Sequence, residues 1–558
     1  MQNSRRQFIR LTSISGLGLG YGLSAKADSL ENQEVYAEDE QSLYVGDKIA
    51  VTDTIHGKVR GFILNHVYTF LGIPYGADTG GRNRFMPPKS PPPWKNVYPA
   101  LWWGDSAPQD LANRYKNPYS SFVDHWNYEG VSEDCLRVNV WTPEINGTSN
   151  RPVIVWLHGG GFTAGNAIEQ DDYHGENLSR KGDVVFCSLN HRLNAFGFSD
   201  FSEMGAPGFE KSGNVGMLDI VLALNWVQQN ISNFGGDPNN VCLMGQSGGA
   251  TKITSLMAMP KAKNLFHKAV LLSGGRLTLG DNDLSSRIAN TILHEGRIGK
   301  GQIGKLQEMS WDEYLSLSSS VITKIRHEKY QRGNHERVEW GPVVDGLVIP
   351  KHPFEPDAIQ HVENIPTLIC STLNESAPGQ FSAEFENMSL KDVQRQLEKR
   401  YGEETGAIVN AYAQSFPRRK PIEIWSMILS NRSGAIALAN RKAKQNASVF
   451  LAWFAWQPPL FNNRLRAFHC SDICFWLYNT DRMLTHTGGG KRPRELSEKM
   501  VASLLSFVRN GSPLCSEMPE WKPYSPENGE TMILDDKSIL VHDPDRQARK
   551  IIENYKTF

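Results

Sequence analysis

From residue 150 onward the chain alternates two hydrophobic patterns. Short unbroken apolar runs recur at residues 153–157, 184–189, 241–244, 269–272, 367–370 and 449–453. Most are rich in β-branched residues and lack apolar–polar alternation, as strands covered on both faces do. Amphipathic stretches lie between them; Leu218, Val221, Leu222 and Trp226 form one apolar stripe at helical spacing. Upstream, residues 49–53 and 58–61 read as two short strands joined by a turn. The alternation predicts an α/β fold with a large, mostly parallel central sheet flanked by helices. No internal repeat is present, and residues 87–94 read as a rigid proline-rich loop. No linker divides the chain after residue 40, so residues 45–558 are expected to form one domain with long surface insertions.

Charge narrows the function. Among 558 residues, 59 are Lys or Arg and 60 are Asp or Glu, for a net charge of −1. That balance leaves no basic excess to neutralise a phosphate backbone, so no nucleic-acid partner is expected. Past the N-terminus no apolar run is long enough to span a bilayer, so no membrane span is expected in the mature chain. The N-terminus itself reads as an export signal. Ser4-Arg5-Arg6-Gln7-Phe8-Ile9-Arg10 resembles a twin-arginine motif, a mild apolar stretch covers residues 11–23, and Ala25-Lys26-Ala27 offers a cleavage site. Residues 1–27 are therefore expected to be a twin-arginine signal peptide, residues 28–44 a linker, and the mature protein periplasmic or secreted.

The seven cysteines show no metal-ligand spacing. Cys187, Cys242 and Cys370 lie in the strand-like runs, where Cys behaves as a small buried hydrophobe, so few disulfides are expected. An odd count leaves at least one thiol free.

Two glycine-rich segments carry the candidate chemistry. Gly245-Gln246-Ser247-Gly248-Gly249 follows the run at 241–244 and precedes a helical stretch at 250–259. A sharp strand-to-helix turn of this kind exposes its serine at the sheet's carboxyl edge, near a helix N-terminus that favours negative charge. His158-Gly159-Gly160-Gly161-Phe162 follows the run at 153–157. Bare glycine amides can approach a substrate oxygen closely, and acyl transfer needs such donors where the tetrahedral oxyanion forms. The amides of Gly160, Gly161 and Gly248 are the expected oxyanion hole.

With these motifs the chain resembles the type-B carboxylesterase family. Phe70-Leu71-Gly72-Ile73-Pro74-Tyr75, the stretch Ser132-Glu133-Asp134-Cys135-Leu136, Gly213-Asn214-Val215-Gly216-Met217-Leu218-Asp219 and Phe234-Gly235-Gly236-Asp237-Pro238 are similar to its signatures. The resemblance implies an α/β-hydrolase fold, a small-molecule ester substrate, no metal or organic cofactor, and a covalent acyl-enzyme on Ser247. It also implies an acid in Thr372-Leu373-Asn374-Glu375 and a histidine in Phe468-His469-Cys470-Ser471-Asp472. With 15 histidines and 60 acidic residues in the chain, composition alone selects neither Glu375 nor His469. A lipase acting at lipid interfaces and a non-catalytic adhesion protein, a kind the family also includes, stand as alternatives; oligomeric state is not legible.

The chain departs from the family pattern at several points. Pro108-Gln109 is followed by Asp110 where the family has a cysteine, so the family's disulfide to Cys135 cannot form. Gln246 replaces the common Glu before the serine and Gly248 the common Ala after it. Trp126 reads as a packing residue. Glu133 and Asp134 read as ion-pair partners, with Arg192 as a candidate counter-charge.

Overall fold

The computed structural model describes residues 41–110, 130–204, 207–280, 282–331, 338–355, 362–380, 382–430 and 432–554. The signal peptide read at 1–27, nearly all of the linker, and Trp126 lie outside these residues. By internal contacts the chain divides after Gln41, and the body described below belongs to Ser42–Phe558.

Each apolar run is a strand, and the strands assemble into one twelve-stranded sheet. From edge to edge it runs Leu43–Tyr44, Phe62–Leu64, Val67–Pro74, Arg137–Thr142, Val185–Leu189, Arg151–Leu157, Gly236–Gln246, Lys268–Leu272, Thr367–Thr372, Val449–Phe454, Glu530–Leu534 and Ile539–His542. Every pairing from Val185–Leu189 across to Glu530–Leu534 is parallel. The flanking strands pair antiparallel on both sides. Leu43–Tyr44 already pairs with Phe62–Leu64, inside the stretch read as linker. The two short strands read upstream are Val51–Thr54 and Gly57–Arg60, which with Tyr98–Pro99 form a separate small sheet.

Successive side chains of a strand face opposite ways, and here both ways lead into core. Val153, Val155, Leu157, Val241 and Leu243 join one apolar cluster, while Ile154, Trp156, Cys242 and Met244 join the other. Double coverage is why these strands read as continuous apolar runs. The stripe read at 218–226 belongs to the helix Val215–Asn230, which buries Leu218, Val221 and Trp226 and leaves Leu222 half-buried.

That helix also corrects one expectation. Arg192 is paired with neither Glu133 nor Asp134 but with Asp219, through Nε at 2.8 Å and Nη2 at 2.6 Å, both side chains being fully buried. Glu133 instead receives Arg84 in a two-pronged contact, and Asp134 pairs with Arg137. All seven cysteines carry free thiols; Cys470 and Cys515 are half-buried and the rest are buried. No helix among the described residues is long and apolar enough to cross a membrane.

Candidate active site

The carboxyl ends of parallel strands gather the site, as open α/β sheets generally do. The strand Gly236–Gln246 ends directly at Ser247, and the helix Gly248–Met257 begins one residue later. Ser247 takes φ +55° and ψ −117°, a conformation that L-residues rarely adopt. Its amide is held by the carbonyl of Leu272 at 2.8 Å on the neighbouring strand. The glycines around it are there for want of space: a Cβ on Gly249 would sit 2.0 Å from the Leu157 oxygen, and one on Gly245 2.6 Å from the Gly249 carbonyl carbon. The helix begins two residues earlier than the stretch read at 250–259, so Gly248 and Gly249 form its first turn.

The glycine loop after Arg151–Leu157 folds against this elbow. A Cβ on Gly159 would lie 3.6 Å from that of Ser247, and one on Gly248 would lie 2.6 Å from the Gly161 nitrogen. Gly160 and Gly161 have φ of +74° and +62°, which only glycine adopts freely. The structure thus brings together Ser247, Gly161 and Gly248.

Two side chains with no role assigned from the sequence, Gln109 and Lys252, support the loop. Gln109 binds Gly165 in both directions, donating from Nε2 to its oxygen at 3.1 Å and accepting its N–H at 2.9 Å. Lys252, fully buried one turn beyond Ser247, donates from Nζ to the His158 oxygen at 2.8 Å. The same Nζ lies 5.9 Å from the centre of the Phe162 ring, so Lys252 touches both ends of the glycine loop. Burial lowers its pKa to about 7, against a weaker opposing pull from Glu169. In sequence Lys252 is one cation in a helical stretch, and only the fold shows that every residue of its helix is buried.

Glu375 and His469 meet on adjoining loops. His469 Nδ1 lies 2.5 Å from Glu375 Oε2, and Glu375 Oε1 accepts the Thr372 N–H at 2.7 Å. The loops are joined by a bridge between Asn374 and Phe468, with the Asn374 N–H donating to Ala467 at 3.0 Å. The two side chains remain 39% and 19% exposed for His469 and Glu375, so the imidazole is reachable from outside. Burial opposes protonation of His469, but Cys470 and Glu375 outweigh it and hold the imidazole well above its ordinary pKa. Burial likewise pushes Glu375 up, and the contact with His469 overcomes it, leaving the carboxyl below its usual range. The Nε2 of His469 is 3.1 Å from the side-chain amide of Gln246. Among the described residues Ser247 Oγ makes no hydrogen bond to His469. The buried Asp472 carboxyl, raised to about 7 by burial and by the nearby charge of Glu375, accepts from Trp476 Nε1 at 3.2 Å.

Ser247, Gly161 and Gly248 line a cleft of about 340 Å³ that runs over Ser273 to Arg276. This is at the small end of the range for ligand pockets. No group of three or more His, Cys, Asp or Glu that could hold a metal occurs among the described residues.

A strained serine at the carboxyl edge of a parallel sheet, glycine amides packed beside it and a carboxylate-held imidazole on neighbouring loops define an α/β hydrolase of the serine type. Comparison with known proteins makes this specific. A profile of the carboxylesterase family matches residues 47–551. The para-nitrobenzyl esterase of Bacillus subtilis (strain 168) is 31% identical over 507 residues, covering 90% of this chain and 98% of its own. The phenmedipham hydrolase of Pseudarthrobacter oxydans is 29% identical, covering 88% and 96%. Among solved structures, an esterase from Clostridium hathewayi that hydrolyses aliphatic aromatic polyesters superposes with a TM-score of 0.80 at 29% identity, over 92% of this chain and 99% of that one. The chain belongs to the type-B carboxylesterase family and is a carboxylic ester hydrolase.

Proposed function

We propose that the chain hydrolyses carboxylic esters by two-step acyl transfer, with Ser247 as nucleophile, His469 as general base and acid, and Glu375 as its orienting carboxylate. The observation that carries this reading is the meeting of Ser247 with the Gly161 and Gly248 backbones in one cleft, beside the Glu375–His469 pair. The imidazole first exchanges its Gln246 contact for Ser247 Oγ and takes the serine proton as Oγ bonds to the ester carbonyl carbon. The oxygen that becomes negative lies against the amides of Gly160, Gly161 and Gly248. As the carbon–alkoxide bond breaks, His469 gives its proton to the departing alcohol, and the acyl group stays on Ser247. Water, giving a proton to His469, then attacks the acyl carbon; the acid leaves and Ser247 recovers its proton. Glu375 fixes the imidazole with Nδ1 protonated and stabilises the imidazolium.

The test is p-nitrophenyl butyrate hydrolysis, wild type against Ser247→Ala. A folded variant slowed by about 10³ or more supports the assignment; equal rates sink it. Activity rising sharply above the substrate's solubility limit favours a lipase. We also propose export by the twin-arginine route, from the motif at Arg5-Arg6 and the apolar stretch after it. Replacing both arginines by lysine should retain the protein in the cytoplasm on fractionation, and unchanged export would refute the route.

A further inference from the structure

The cleft beside Ser247 opens into a second cavity of about 380 Å³ walled by Phe198, Leu284, Ile288 and Val343. Phe162, Thr251, Arg276, Glu339 and Trp340 line both, so they form the waist of one continuous cleft. His469 lines neither part. An alcohol that must take its proton from His469 leaves on the histidine's side, so a cleft that His469 does not line is left to receive the acyl part of the ester.

An ion pair stands across that waist. Arg276 Nη2 contacts Glu339 Oε1, with the side chains 41% and 35% exposed. This is a poor lining for plain alkyl chains. A hydrocarbon sliding past the pair strips water from both charges and returns no hydrogen bond. The guanidinium carries five N–H donors in a rigid fork, and among the described residues Glu339 is the only side chain that it contacts as an ion pair or hydrogen bond. Its backbone is fixed as well: Gly275 has φ +99°, and the Arg276 N–H donates to Thr254 Oγ1 at 3.2 Å. Arg276 therefore offers spare donors to an oxygen on the bound acyl group. Glu339 beside it cancels the net charge and repels a second carboxylate, so the fitting acceptor is a neutral carbonyl.

We propose that Arg276, steadied by Glu339, is a specificity residue that reads a second carbonyl oxygen on the acyl group, making neutral diesters of dicarboxylic acids preferred substrates over alkanoate monoesters of similar length. The inference rests on the ester-hydrolase reading with Ser247 as nucleophile. Each turnover consumes one diester and one water and releases an alcohol and the half-ester. Glu339 then disfavours rebinding of that anion, so hydrolysis pauses at the half-ester.

The test uses the full chain and compares kcat/KM for dimethyl adipate, methyl heptanoate and the monomethyl adipate anion, followed by titration of released acid. Wild type should favour the diester over the monoester by about tenfold, and Arg276→Met should bring that ratio close to one. Glu339→Gln should raise the anion relative to the diester by about tenfold, because the repelling charge is gone while the fork remains. The same diester-to-monoester ratio in wild type and Arg276→Met overturns the proposal, as does a Glu339→Gln enzyme that still rejects the anion. Ser247→Ala is the separate control. Hydrolysis persisting in it overturns the assignment of Ser247, a result independent of either ratio.

Discussion

The two halves of the proposed site are built from different materials. The oxyanion half is backbone: Gly159 to Gly161 packed on Ser247 and Gly248, too tightly for a single added carbon at Gly248. The proton-transfer half is side chain: an imidazole and a carboxylate on two loops joined by one bridge, both part exposed. Backbone placed by a parallel sheet is rigid and insensitive to pH. Side chains on loops titrate, and their performance depends on charge. The first half should therefore fail by crowding, the second by electrostatics.

The largest predicted effect falls on the second half. Glu375→Gln should lower kcat by about 10³–10⁴, because the imidazole loses its orientation and the counter-charge of its protonated form. The pH profile gives the sign. In the proposed mechanism His469 must be neutral to accept the serine proton, and Cys470 and Glu375 together raise its pKa against the opposing effect of burial. Removing that carboxylate should move the acidic limb of kcat/KM to lower pH even as the plateau falls. An unmoved limb would show that Glu375 does not set the histidine's charge.

A smaller loss, about tenfold to 10² in kcat, is predicted for Gly248→Ala. The new Cβ would lie 2.3 Å from the Gly161 oxygen, so the glycine loop must give way. The limb should stay where it is in wild type. A shift of the limb would erase the contrast between the halves.

The smallest effect on rate, about tenfold or less, is predicted for Lys252→Met, and it comes with an opposite effect on stability. Met keeps the apolar stem but loses the donor to His158, so the loop is less well held while a buried charge is removed. The folded pKa of about 7 lies below the ordinary 10.5, so the folded state binds fewer protons than the unfolded state between these values. Wild-type stability should therefore rise with pH across that window. The melting-temperature advantage of Lys252→Met should be largest near pH 7 and below, and fade towards pH 10.5. A constant difference across that range would refute the buried titration.

The same division explains what could be read in the chain. Strands buried on both faces announce themselves as apolar runs, and the glycines at 159–161, 245, 248 and 249 mark where backbone meets backbone. The elbow and the glycine loop packed on it were legible for that reason. Glu375 and His469 carry no such mark, because an acid or a histidine at a strand's exit resembles any other; only likeness to a family singled them out. The antiparallel margins of the sheet were less legible, since strands such as Leu43–Tyr44 and Phe62–Leu64 are too short for a periodicity. Partner choice failed most plainly. Arg192 has a charged neighbour in the helix Val215–Asn230, and pairing across the fold cannot be chosen by residue type. Lys252 and the Arg276–Glu339 pair stayed hidden because the sequence does not say which cations are buried or which line a cleft.

The free thiols bear on how the protein can be made and handled. With every thiol free, no disulfide has to form as the chain folds. Cys470 and Cys515, the half-buried pair, are the natural attachment points for labels or a solid support, and they differ in use. Cys470 adjoins His469 and would report on the active centre at the risk of blocking it. Cys515 belongs to a separate surface hollow with Lys181 and Arg509, and it is the safer anchor.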